Sequence, residues 1–213
     1  YMCYKAVNNE NNLWIAAAGC IADWYIPDFI KEFEKKYPDM INVDYKHPGD
    51  IIYGGTNLGK LIRMLSFILK GSSDDVTKSI KVMTRIESPY EILEGETAQG
   101  KFLHKRYEMM NKNFEILWDE ISSVAKKTDD SIILFKYKDD KTSFTSDLGN
   151  EISYKYPDRI VMVCREKNNE MKCSIRSTKK IIPPLLEKSL AGLRGYGGGH
   201  ENAVGARMKT EDL

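Results

Sequence analysis

The chain has 213 residues, of which 42% are hydrophobic and 30% charged, and a formal net charge of +1. This is the make-up of a globular protein with apolar material for one large core or two small ones. Overall charge gives no argument for nucleic acid or membrane. No apolar run reaches membrane-spanning length, so no membrane partner is expected.

In chain order, Leu13–Asp23 is an apolar run that ends abruptly in an acid, as a buried helix or strand would when it delivers Asp23 to the edge of a core. Pro27 and Asp28 open an amphipathic helix carrying Phe29, Ile30 and Phe33. Residues 37–56 are rich in Pro, Gly, Asn and Asp and read as a loop, with a short strand around Ile41 to Tyr45. Asn57 is a fair N-cap for a helix to about Leu69, and Asp75 to Ile86 is another. From Ala98 to Lys127 the apolar residues Leu103, Tyr107, Met110, Phe114, Leu117, Ile121 and Val124 alternate in steps of four and three. That is a helix with one apolar stripe, suited to packing on a neighbouring domain or, less simply, to a coiled coil.

Past Asp130 the period changes. Ile132–Tyr137, Arg159–Arg165 and Met171–Ile175 read as strands, with a hairpin turn at residues 167–170. Ser146–Asp147 caps a helix to about Tyr156, Pro183–Pro184 starts one to Leu193, and Gly205–Met208 is a candidate last strand. The fold class is therefore α/β plus α+β. A partial N-terminal α/β piece (1–97) is followed by a linker helix (98–128) and a mixed-sheet domain with flanking helices (129–213).

The four cysteines form no Cys-x-x-Cys pair, and Cys20 and Cys164 sit in apolar runs. Reduced thiols in a cytoplasmic protein are expected, without a zinc site. The chain begins at Tyr1 and stops inside a helix-like Lys209–Leu213, as expected of a fragment. From Arg159 to Leu213 eleven Lys/Arg stand against six Asp/Glu, which suits an anionic ligand or simply a solvated basic face.

Five of the thirteen residues from Leu193 to Gly205 are glycine, and His200 follows three of them, Gly197, Gly198 and Gly199. Such a run reads as a loop. It serves tight turns, or close approach of backbone N–H groups to an anion, with a histidine that can carry charge near neutral pH. A plain helix-to-strand turn with an incidental histidine is the other reading. Neither a dinucleotide fingerprint nor a Walker loop fits the spacing.

The order of these motifs brings a family into view. Gly197–Gly205 resembles the glycine–histidine signature of the DHH-associated C-terminal domain. Lys172–Ser177 is similar to that domain's Ser-x-Arg-Ser strand, and Ser146–Asn150 to the opening of its first helix. Upstream, Gly19–Asp23 resembles the last metal-binding motif of RecJ-like DHH phosphoesterases, in which the closing acid binds manganese. The resemblance implies a two-domain enzyme that hydrolyses phosphodiester bonds in single-stranded DNA or RNA, or in short oligonucleotides, with paired Mn2+ or Mg2+. It implies that Gly197, Gly198, Gly199, His200, Arg176 and Ser174 hold substrate and that Asp23 is a metal ligand.

The other metal motifs of that family, an Asp-x-Asp pair and an Asp-His-His triplet, have no counterpart here. One acid cannot hold two divalent ions, so the chain alone is expected to be inactive, its centre completed by a missing N-terminal half or a partner chain. Asp23 would also serve as a helix-capping carboxylate, and Arg176 as a strand-end surface arginine. Two other functions stay open: a non-catalytic nucleic-acid-binding module, and an appended domain of an alanyl-tRNA synthetase, against which residues 23–28 argue. Tyr196, beside the glycines, is the aromatic best placed to stack on a base.

Overall fold

A computed structural model describes residues 1–7, 9–138 and 142–213. The chain divides into two compact units, Tyr1–Asn111 and Lys112–Leu213. The first is helical: α1 (Met2–Val7), α2 (Leu13–Ala22), α3 (Ile30–Lys36), α4 (Pro48–Tyr53), α5 (Asn57–Ile68), α6 (Ser73–Met83), α7 (Pro89–Glu94) and the start of α8 (Ala98–Lys127). The second holds the rest of α8, then β1 (Ile132–Lys138), α9 (Thr145–Lys155), β2 (Ile160–Lys167), β3 (Glu170–Arg176), α10 (Pro183–Leu190), β4 (Gly195–His200) and β5 (Ala203–Lys209).

In the first unit α2 runs through the core, burying Leu13, Trp14, Ala17, Ala18, Cys20 and Ile21. Its alanines let neighbouring helices approach closely. α5 presents Leu58, Leu61, Met64 and Ile68 to the same core, each contributing about 1.5–3 kcal/mol by burial. Thr56 rather than Asn57 caps α5, its hydroxyl accepting from Gly59 N at 2.8 Å. The strand expected around Ile41 to Tyr45 does not form, and among the described residues the unit has no strand. Met40 and Ile41 are buried among the helices, where an isolated strand would leave its backbone unpaired.

The second unit is a five-stranded mixed sheet in the order β1-β2-β3-β5-β4. β1 and β2 are parallel, so a crossover is required between them, and α9 supplies it. The remaining pairs are antiparallel. Asn168 and Asn169 both take positive φ in the β2–β3 turn, as a two-residue hairpin of matching twist requires. α9 packs on β2 and β3, and α10 on β4. Leu186 of α10 packs in one core with Ile175, Val204, Ala206 and Met208 of the sheet.

Two expectations are corrected in this sheet. Cys164 and Cys173, expected as reduced thiols, lie opposite one another on β2 and β3 and form a disulfide, with Cα atoms 4.0 Å apart. Hairpin register brings them together, and residue spacing carries no trace of it; Cys3 and Cys20 remain free. The glycine run is also not a loop. It is β4, the edge strand of the sheet, closed onto β5 by a two-residue turn at Glu201–Asn202.

Candidate functional site

The glycine strand exists because of its partners, since its own propensity opposes it. A Cβ on Gly197 would lie 2.7 Å from the Gly205 carbonyl oxygen and 2.7 Å from Leu186 Cδ2. Gly199 has φ +151°, and a Cβ there would come within 2.4 Å of the Ala203 oxygen. Side chains at these two positions would prise β4 from β5 and α10. Gly198 differs, as a Cβ would meet nothing within 4 Å. The turn is pinned from outside the hairpin: Ser177 N donates to Asn202 O at 3.0 Å and Ile182 N to Glu201 O at 2.7 Å.

Register decides which residues share a face. Ser174 pairs with Gly205, which pairs with Gly198, and Arg176 pairs with Ala203, which pairs with His200. Cross-strand partners project to the same side and positions two apart do likewise. Ser174, Arg176 and His200 therefore lie on one face, with Gly205 and Gly198 as bare backbone between them. α9 covers part of this face. A Cβ on Gly149 would sit 3.8 Å from Ser174 Oγ and 3.5 Å from Arg176 Cγ. Ser174 is buried there, whereas Gly205, Gly198 and His200 are exposed. The result is a glycine-floored shelf beside α9, bordered by Arg176 and His200.

Arg176 is held in place. Its Nε donates to Asn150 Oδ1 at 2.6 Å, and Nη1 donates to the carbonyls of Ile175 at 2.9 Å and Val204 at 3.3 Å. A guanidinium anchored this way loses little further freedom on meeting an anion. Asn150 is the residue that sequence reasoning missed. It stood in the quoted Ser146–Asn150 motif, yet nothing local shows that it reaches β3.

Further along the same face come Lys172, Arg207, Lys209 and Glu170, with Tyr196 at the edge. Arg207 Nε donates to Glu170 Oε2 at 2.8 Å, and its Nη1 to the Tyr196 hydroxyl at 3.4 Å. The Arg207 guanidinium holds the Glu170 carboxyl below its usual range. With Arg176, four cations thus stand against one carboxylate beside a tyrosine that is 67% exposed. The edge of β4 adds unpaired backbone N–H groups. Such a surface can hold phosphates by charge and by N–H donation, and a base by stacking.

Asp23 lies in the first unit as the C-cap of α2, exposed to solvent. An acid is disfavoured at a helix C-terminus, where the dipole is negative, so capping does not explain it. Among the described residues no three His, Cys, Asp or Glu side chains come together as a metal-binding group. A single exposed carboxylate does not fit the paired divalent ions that the DHH resemblance implies, and no catalytic step through such ions follows from these residues.

No known protein family and no curated protein sequence matches the chain. Solved structures do. RecJ of Thermus thermophilus in complex with Mg2+ is 14% identical with a TM-score of 0.50, over 98% of this chain and 34% of that one. A manganese-bound exonuclease RecJ is 16% identical with a TM-score of 0.49, over 94% and 51%. The pGpG-specific phosphodiesterase PggH of Vibrio cholerae is 16% identical with a TM-score of 0.39, over 70% and 52%. The chain shares its fold with the matched part of Thermus thermophilus RecJ, and it spans only a third to a half of the length of these proteins.

Proposed function

We propose that this chain is the substrate-holding part of a metal-dependent phosphodiesterase acting on single-stranded nucleic acid or short oligonucleotides. The observation that carries the reading is the glycine-floored shelf, on which an anchored Arg176 and an exposed His200 flank open backbone at the sheet edge. Arg176 and His200 grip phosphate, and the β4 backbone lets the polynucleotide lie close. Ser174, buried under α9, acts by supporting this arrangement rather than by reaching the ligand. Asp23 contributes one ligand to a Mn2+ or Mg2+ centre whose other ligands come from residues beyond these 213, in a preceding half or a partner chain. The fold of RecJ type and the sparse donor set among the described residues support that division of labour.

The test is affinity for a short fluorescein-labelled oligothymidylate, read by anisotropy at fixed salt. Replacing Arg176 and His200 together by alanine should weaken binding at least about tenfold, since charge-assisted contacts contribute about 1.5–3 kcal/mol each. Unchanged affinity in a variant with an unchanged melting temperature would remove the role assigned to the shelf.

A further inference from the structure

The helix that ends at Asp23 closes with an unusual residue. Tyr25 N donates to Cys20 O at 2.9 Å and Trp24 N to Ile21 O at 3.0 Å, the bond pair of a Schellman motif, whose left-handed position is normally glycine. Here that position is Trp24, at φ +59°. A bulky side chain in this conformation costs about 1–2 kcal/mol, and Trp24 takes it while remaining 48% exposed. Backbone of this kind clusters at ligand-contacting positions, and the half-exposed ring leaves one face open to a ligand.

Trp24 stands beside a groove of the same unit. Its ring centroid is 6.5 Å from that of Tyr53, at 50°. Tyr53 lines the groove together with Gly55, Asn57, Lys60, Arg63 and Tyr107. Lys60 and Arg63 are one turn apart on α5, so both cations address the same hollow. Gly55 has φ +80°, with nothing within 4 Å of where a Cβ would be, which leaves backbone open to a ligand. Among the described residues, those lining the groove include no carboxylate. Two cations one turn apart and an adjoining pair of exposed or half-exposed aromatics match a polynucleotide strand: phosphates on the cations, bases on the rings.

We infer that this groove is a second single-strand binding site, in which Lys60 and Arg63 hold phosphates and Trp24 and Tyr53 stack on bases. It rests on the proposed function for its ligand class, but on none of the residues of the shelf.

Trp24→Gly separates binding from folding. Glycine suits the left-handed position, which offsets the packing lost with the half-exposed ring, so the variant should still fold and melt cooperatively, while its affinity for the labelled oligothymidylate falls about tenfold. Lys60→Gln with Arg63→Gln should lower the slope of log K against log salt by about 1.4, two phosphate contacts' worth. If Trp24→Gly binds as tightly as the parent and the double variant keeps its salt slope, the inference is overturned. Loss on Arg176→Ala with His200→Ala, alongside that result, leaves the shelf standing alone. The opposite pattern overturns the shelf and supports the groove. No binding by the parent protein overturns both.

Discussion

Gly197 and Gly198 are neighbours on one strand with opposite demands. Gly197 faces α10 and has no room for a Cβ, while Gly198 faces the shelf with nothing near it. Gly197→Val should therefore destabilise the second unit by about 1–3 kcal/mol, the usual cost of overpacking. Gly198→Val should leave the melting temperature unchanged or raise it, because a β-branched residue suits a strand. The valine would nonetheless stand on the shelf floor and hold a polynucleotide away from the backbone. A Gly198→Val protein that melts normally and binds oligothymidylate as tightly as the parent would show that the ligand does not cross this row. At the same scale Asn150 orients Arg176 through a 2.6 Å hydrogen bond. Asn150→Ala should weaken binding less than the loss of Arg176 itself, whereas Asn150→Asp, which pairs a carboxylate with the guanidinium, should weaken it more than Asn150→Ala does.

Among the elements, α7 shows what local sequence encodes and what it leaves to context. Ser88 and Glu91 form a reciprocal capping box around Pro89, a pattern visible in the sequence as Ser-x-x-Glu. Thr97 donates to the Glu91 carboxylate at 2.6 Å, and the N–H groups of Glu87 and Ser88 donate to it as well. These bonds, the Thr97 hydroxyl first, hold the Glu91 carboxyl below its ordinary range. A depressed pKa contributes stability above the unfolded-state value, and that stability is lost as pH falls through the folded one. The melting temperature of the parent should thus drop more steeply below about pH 4.5 than that of Glu91→Gln, and coincident pH profiles would refute the assignment. α8 is read correctly end to end because its apolar stripe repeats over 30 residues. The six-residue helices α4 and α7 have no such period, and only their caps mark them. β4 was hidden for a stronger reason: glycine disfavours strands, and only pairing with β5 and contact with α10 make one of it. The motif groups Ser174, Arg176, Gly198 and His200, which register brings to one face, but also Gly197 and Gly199, which register turns to the α10 side; Asn150 and the Glu170–Arg207–Tyr196 chain likewise depend on register.

For the molecule as a whole, holding a strand as proposed and cutting it make different chemical demands. The binding proposed for the shelf relies on arginine, histidine and backbone N–H groups, none of which needs a divalent ion. Hydrolysis of a phosphodiester needs charge placed at both the attacking and the leaving oxygen, and Asp23 is one exposed carboxylate without a cluster of ligands around it among the described residues. The two capacities should therefore separate. EDTA should leave the affinity for oligothymidylate unchanged, and so should Asp23→Asn, whereas added Mn2+ should produce no cleavage of the labelled strand by this chain. A chain supplying the missing ligands should restore Mn2+-dependent cleavage, and Asp23→Asn should then abolish it while binding persists. Mn2+-dependent cleavage by the chain alone, lost in Asp23→Asn, would mean that it assembles a working centre by itself, and would overturn the division proposed here between the part that holds the strand and the part that cuts it.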